Sequence, residues 1–274
     1  MTIHRFIIDS SQVDRSAGLV RLSDQKQVRQ IGRVLRMERG DRIDVVDETG
    51  TLFEVTIETL SDKTVEARIL SEKQPVDKRA FTITVVLPLL KGGNFETTLQ
   101  KLTEIGVDTI MPVTTERTVV RIDQERPAKN EEKMRRWMSI IKEASEQCER
   151  VRTPKLVNVQ PLEKALNHLR RADNPSTTLI CAERSQAPHL VTIVYSRSFR
   201  QASPAVAPSD ICIVIGPEGG FSKHEMDQSI SLGCIPCSLG DGILRSETAA
   251  IVAASLVASF GEISGSEAKY SLDR

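Results

Sequence analysis

The sequence offers no net charge to a polyanion: 37 basic residues are matched by 37 acidic ones. Affinity for nucleic acid must therefore come from a local patch and not from the overall field. It also lacks any apolar run long enough to cross a bilayer, and the opening MTIHRFIIDSSQ has no long apolar stretch of the secretory kind. A cytoplasmic location without membrane association is the expectation. Five cysteines, an odd number, make no disulfide framework. The single CxxC, Cys234 and Cys237, has no second pair to complete it, and the four histidines are scattered at 4, 168, 189 and 224. A structural zinc site needs about four ligands, so no metal is expected and both cysteines read as strand residues.

What is present is enough apolar chain for a sizeable core. With 39% hydrophobic and 27% charged residues over 274 positions, two domains are expected. Residues 1–73 show short alternating stretches (HRFIID, RIDVVDE, TLFEVTIETL, TVEARIL) with turns at Arg39-Gly40-Asp41 and Thr49-Gly50, the pattern of a small β-barrel. Within it, QKQVRQIGRVLRMERGD places Val28, Ile31 and Leu35 on one helical face and Arg29, Arg33 and Arg36 on another. Lys26, Arg39 and Arg42 add to the basic side and only Glu38 and Asp41 offset it locally, so the arginines are either a solvated face or phosphate contacts.

After the polar joint SEKQPVDKR the pattern changes to strands alternating with helices, predicting an α/β domain over 79–264 with a largely parallel sheet. Strands are expected at 81–89, 108–113, 177–183, 211–216 and 234–240. A helix closing on Gly106 and a second one, with Met134, Trp137, Met138, Ile141, Ala144 and Cys148 on one face, lie between them. The Ser/Ala/Pro-rich segment 196–210 reads as a mobile surface insertion.

Two loops carry chemistry. IVIGPEGGFSKHEMD runs from an apolar strand through Gly216, Glu218, Gly219 and Gly220 to Ser222 and Glu225, a capping-box helix start. Its glycines let a ligand meet the backbone, but it has neither the lysine of a Walker loop nor the spacing of a dinucleotide fingerprint. In CSLGDGILRSETAA, Leu239-Gly240 and Ile243-Leu244 put apolar backbone beside Arg245. A pocket of this kind suits an adenine ring, and the guanidinium at its edge suits an oxyanion.

QIGRVLRMERGD, LQKLTEIGV, TERTVV, EASEQCERVRTP, IGPEGGFSKHE and LGDGILRSETA occur together and in this order, and on them the chain resembles the bacterial 16S ribosomal RNA (uracil N3)-methyltransferases of the SPOUT class over nearly its whole length. The resemblance implies a PUA-like barrel for RNA, then a trefoil-knotted, dimeric α/β domain that binds S-adenosylmethionine. It further implies methylation of uridine 1498 in the RNA of the small ribosomal subunit, and Leu179, Ile215, Gly216, Glu218, Gly219, Gly220, Leu239, Gly240, Ile243 and Leu244 as the cofactor residues. Two segments depart from the family pattern: Gln30 stands where relatives often carry histidine, and KGGNFE replaces a segment that is often KGEKME. Both are expected to lie outside the two loops.

Uracil N3 reacts once its imide proton has left, and negative charge then spreads onto the flanking carbonyl oxygens. Arg245 is the candidate to stabilise it; the competing reading is a helix-start ion pair with Glu218 or Glu247. No residue is assigned as base, because a carboxylate beside arginine has a lowered pKa. Two rival functions are a non-catalytic RNA-binding dimer of the same fold, and a nucleotide-dependent enzyme with LLKGGNFE as phosphate loop.

Overall fold

A computed structural model describes residues 4–74, 79, 81–120, 127–171, 177–183, 186–200 and 210–270. It divides into two units, Met1–Val76 with Lys142–Thr153, and Asp77–Ile141 with Pro154–Arg274. The polar joint at 75–78 and most of the insertion, 201–209, lie outside the described residues.

In the first unit, β1 (Arg5–Ile8), β2 (Val13–Asp14), β3 (Leu19–Leu22), β4 (Arg42–Asp47), β5 (Leu52–Leu60) and β6 (Val65–Lys73) form one sheet in the order β1-β4-β5-β6-β3-β2. Only the β1–β4 pairing is parallel. Alternate residues turn inward, as the period-two pattern requires, and Phe6, Ile8, Val20, Leu22, Ile43, Val45, Phe53, Val55 and Ile57 share a core. Gly40 and Gly50 turn the chain at φ 97° and 88°, a region closed to most side chains.

The expected long helix is broken. Only α1 (Gln25–Arg29) is α-helical; a wider, π-type turn follows over Gln30–Val34, and Arg36 beyond it takes a left-handed φ of 53°. Val28 and Ile31 are buried as the spacing requires, but the three arginines do not form one regular helical face.

Residues 142–153 belong to the first unit, although the sequence pattern puts them with the second. Inside the first unit Glu146 Oε1 accepts hydrogen bonds from the Ile7 N–H at 2.9 Å and from Gln27 Nε2 at 2.7 Å, so a strand edge and a helix are both satisfied by this segment. Burial, the largest influence on Glu146, holds its carboxyl pKa above the usual range.

The second unit is built on a parallel sheet of β7 (Ile83–Pro88), β8 (Thr109–Thr114), β9 (Lys155–Leu156), β10 (Gln160–Pro161), β11 (Thr177–Cys181), β12 (Ile211–Val214) and β13 (Ile235–Cys237), in the order β10-β8-β7-β12-β11-β13 with β9 also on β8. Its helices are α2 (Asn94–Ile105), α3 (Pro127–Gln147) up to Ile141, α4 (Leu162–Arg170), α5 (Leu190–Arg200), α6 (Lys223–Ser231) and α7 (Ser246–Tyr270). Central strands are apolar on both faces because helices cover both. Ile83, Val85, Leu87, Ile213 and Ile215 pack with Phe95, Leu99, Leu102, Ile193, Ala250, Ala254 and Val257 on one side. Val86, Met111, Cys212 and Val214 pack with Leu162, Ala165, Leu166 and Met226 on the other. Each fully buried leucine here contributes about 1.5–3 kcal/mol relative to exposure. This is the SPOUT-type knotted architecture.

Local signals in this unit hold well. α2 ends on Gly106 at φ 105°, and the Ser222/Glu225 capping box opens α6. Trp137 is buried against Phe95, ring centroids 4.5 Å apart. Met138, expected on the same face, is 48% exposed. Cys234 and Cys237 belong to cores on opposite faces of the sheet, so they do not converge on a ligand.

Candidate active site

The carboxyl ends of β11, β12 and β13 open onto a cavity of about 950 Å³, within the range of small-molecule sites and at the sheet edge where α/β ligands bind. Ile215, Gly216, Glu218, Gly219, Gly220, Leu239, Gly240, Ile243 and Leu244 line it together. Leu179 does not: it is fully buried in β11, facing the core, and Cys181 and Ala182 at the end of that strand line the cavity instead.

The glycines have two different reasons. A Cβ on Gly216 would stand 3.1 Å from the Phe221 ring, and one on Gly219 would stand 3.2 Å from Arg117 Cβ, so the protein itself closes on those positions. Gly220 and Gly240 take φ 66° and 124°, and a Cβ on either would meet nothing within 4 Å. There the backbone stays open. Peptide groups, apolar side chains and open space of this size fit an adenosyl group.

Four hydrogen-bonding residues brace the loops. Ser246, almost fully buried, donates its hydroxyl to the Gly216 carbonyl at 2.7 Å. Glu225 accepts from the Glu116 N–H at 2.8 Å as well as from the Ser222 N–H at 2.9 Å. Arg117 Nη1 donates to the carbonyls of Gly219 at 3.0 Å and Phe221 at 3.3 Å. His189 Nδ1 accepts from the Val191 N–H at 3.3 Å at the start of α5, and the residues on either side of His189 bridge to Ser238, whose N–H donates to the Pro188 carbonyl at 3.0 Å and whose carbonyl accepts from the Leu190 N–H at 2.9 Å. Nothing in the residues of TERTVV by itself gives Arg117 a place in the site; the only signal in the sequence is the co-occurrence of that motif with the two loops.

KGGNFE, expected apart from these loops, is tied to both. The Lys91 N–H donates to Glu218 Oε1 at 3.1 Å, and Asn94 Nδ2 donates to Glu247 Oε1 at 3.1 Å. Each of the two carboxylates weighed as an ion-pair partner of Arg245 thus accepts a hydrogen bond from this segment. Arg245 is exposed and is not among the residues that line the cavity, and its side chain makes no hydrogen bond or ion pair among the described residues.

Its backbone position sharpens the point. The Ala249 N–H donates to the Arg245 carbonyl at 2.8 Å, so Arg245 occupies the cap position of α7, where Ser, Thr, Asp or Asn are favoured. A guanidinium there also opposes the helix dipole, whose positive end favours anions. The arrangement costs stability in the protein alone and suits a site that receives negative charge.

On the first unit, Arg29, Arg33 and Arg36 are all exposed. Arg33 lies 3.4 Å from Asp62, Lys26 3.1 Å from Glu143 and Arg42 3.1 Å from Glu54. The positive surplus is therefore smaller than neighbouring sequence suggests, because distant carboxylates fold back onto it. Among the described residues no group of three or more His, Cys, Asp or Glu is placed to hold a metal ion, and no helix is long and apolar enough to cross a membrane.

Residues 77–258 match the RNA methyltransferase domain family, and residues 22–70 match the RNA methyltransferase PUA domain family. The chain is 31% identical over 228 residues to ribosomal RNA small subunit methyltransferase E of Synechocystis sp., covering 83% of this chain and 69% of that protein. It is 27% identical over 266 residues to the Rickettsia conorii protein of the same name, 95% and 97% of the two chains. Among solved structures, the Neisseria gonorrhoeae methyltransferase E bound to S-adenosyl methionine superposes with a TM-score of 0.77 at 26% identity, covering 94% of this chain and 98% of that one. A putative methyltransferase from Legionella pneumophila in complex with the same cofactor gives 0.76 at 32% identity, covering 95% and 99%. The chain belongs to the ribosomal RNA small subunit methyltransferase E family of RNA methyltransferases.

Proposed function

We propose that this protein methylates N3 of uracil at uridine 1498 of 16S ribosomal RNA, acting as a cytoplasmic homodimer with S-adenosylmethionine as methyl donor and no metal. When bound, S-adenosylmethionine supplies an electrophilic methyl group on a sulfonium. Ile215, Gly216, Gly219, Gly220, Leu239, Gly240, Ile243 and Leu244 would hold its adenosyl portion by backbone and apolar contact. The two solved relatives that hold this cofactor share the fold at TM-scores of 0.77 and 0.76. RNA approaches along the exposed arginines of the first unit, Arg29, Arg33 and Arg36.

Arg245 carries the chemistry. As the N3 proton leaves, negative charge develops on the uracil oxygens, and a guanidinium placed there stabilises it most where water is excluded. The single observation that supports this role is that the Arg245 side chain stands without a carboxylate partner among the described residues, although Glu247 is two residues away in sequence. The interaction strengthens as charge forms, so its loss falls on the chemical step.

Arg245→Ala is expected to slow single-turnover methylation by about 100-fold to 1,000-fold, by analogy with deletion of an oxyanion donor, while cofactor and RNA affinities change little. Arg245→Lys restores only part of the rate, since a point charge lacks the planar fork of a guanidinium. The variant's rate also rises further with pH than the parent's, because external base replaces the missing help in forming the anion. Turnover of bound RNA at the parental rate would remove Arg245 from the mechanism.

A further inference from the structure

S-adenosylmethionine carries an ammonium and a carboxylate beside its adenosyl group, and each needs a partner in a site that takes it out of water. The cavity at the ends of β11, β12 and β13 is lined by three carboxylates, Glu183, Glu218 and Asp241, but among the described residues by one lysine or arginine, Arg117. Arg117 stands at the tip of a closed turn after β8. The Thr115 N–H donates to Thr118 Oγ1 at 2.9 Å and the Thr118 N–H to the Thr115 carbonyl at 3.2 Å, and Thr118 is buried. The Glu116 N–H, bonded to Glu225 at 2.8 Å, pins the same turn to the start of α6. From there the Arg117 side chain lies along Gly219, whose added Cβ would stand 3.2 Å from Arg117 Cβ and 3.5 Å from Cδ. Its Nη1 is spent on the carbonyls of Gly219 and Phe221. Carbonyls orient a guanidinium without neutralising it. Nε and Nη2 make no hydrogen bond and no carboxylate pairs with Arg117 among the described residues, and that edge of the fork can hold a carboxylate by two parallel hydrogen bonds.

We infer that Arg117 binds the carboxylate of S-adenosylmethionine and thereby selects the intact amino-acid cofactor over adenosyl compounds that lack this group. The inference rests on the reading of this cavity as the adenosyl site. It gives the turn after β8 a role in specificity besides bracing the glycine loop. The cofactor's charges then find complementary surroundings, the carboxylate on Arg117 and the ammonium among the acidic lining residues.

The test is calorimetric binding of two ligands to the full chain: S-adenosylmethionine, and its decarboxylated form, which keeps the sulfonium and the ammonium but has no carboxylate. The parent should prefer S-adenosylmethionine by about tenfold, the low end for hydrogen bonds to a charged group. Arg117→Gln, which keeps an N–H donor for the loop carbonyls, should weaken S-adenosylmethionine by about tenfold and change the decarboxylated ligand by less than about twofold. Arg117→Lys should keep part of the preference, because it keeps the charge and loses the fork. The inference is overturned if Arg117→Gln weakens both ligands by the same factor, which is what bracing alone would do, or if it weakens neither. It is also overturned if Arg117→Gln keeps the parental ligand preference and instead flattens the salt slope of RNA binding by about 0.7–0.9, since the anion is then an RNA phosphate. Ile243→Ala separates the two layers: both ligands carry the adenosyl group, so it should weaken them alike. If it does so while Arg117→Gln shows no selective loss, only the carboxylate role falls. If Ile243→Ala binds both as the parent does, the reading of the cavity falls as well.

Discussion

Ser246 is a helix residue whose hydroxyl is used outside its helix. It ties the start of α7 to the Gly216 carbonyl, and without that bond a partly buried acceptor is left unmet. Ser246→Ala should cost about 1 kcal/mol and lower Tm by about 2–4 °C, with weakened S-adenosylmethionine binding in calorimetry; an unchanged Tm and affinity would show that the tie is dispensable. Glu146 gives a pH-dependent case. Burial raises its carboxyl pKa from the ordinary value of 4.5, so the folded state binds its proton more tightly than the unfolded chain. That contribution to stability is present below pH 4.5 and disappears as pH rises through the raised value. Glu146→Gln keeps an oxygen for the Ile7 N–H and Gln27 and removes the titration. The difference in urea midpoint between the parent and Glu146→Gln should therefore move in the variant's favour from pH 4.5 to pH 7. A difference that stays constant with pH would contradict the assignment. Single residues were only partly legible in sequence. Gly220 and Gly240 stand open as their loops suggested, but Gly216 and Gly219 answer to Phe221 and Arg117, neighbours that come close only after folding.

Elements whose signals are local could be read directly. The strands at 83–88 and 211–214 are apolar except for Thr84 because both faces are covered, and the capping box of α6 sits where Ser222 and Glu225 placed it. The helix over 25–36 could not be read so. Val28 and Ile31 are equally well buried by an α-turn followed by a π-turn, and the spacing of apolar residues does not choose between them. The same limit applied to charge, since Asp62, Glu143 and Glu54 reach basic residues from distant positions. The basic element nevertheless keeps Arg29 and Arg36 exposed. Replacing Arg29, Arg33 and Arg36 with alanine should flatten the slope of log K against log salt for RNA by about 0.7–0.9 for each phosphate that an arginine neutralises in the parent. Cofactor affinity should hold. An unaltered slope would return these side chains to an ordinary solvated surface.

At the scale of the whole molecule, the balance of 37 basic and 37 acidic residues means that recognition of RNA rests on placement and not on total charge. The order of strands in the second unit was not legible from periodicity, because β11, β12 and β13 carry the same local pattern in any parallel arrangement. The motifs reached the knotted fold only as a set, through resemblance. The Lys142–Thr153 segment of the first unit escaped for a related reason: it follows a continuous helical pattern, and only Glu146's bonds to Ile7 and Gln27 reveal where it packs. The central claim is methyl transfer to uracil N3 of the small-subunit RNA, and mapping that RNA from cells with and without the protein tests it most directly. A methyl on N3 blocks the pairing edge of the base, so reverse transcription should stop at a single uridine of 16S RNA. Nucleoside mass spectrometry should find 3-methyluridine there. The account predicts that both signals vanish without the protein and return with the parental chain but not with Arg245→Ala. Unchanged 3-methyluridine in 16S RNA without the protein, or a missing methyl located on another atom or another RNA, would contradict it.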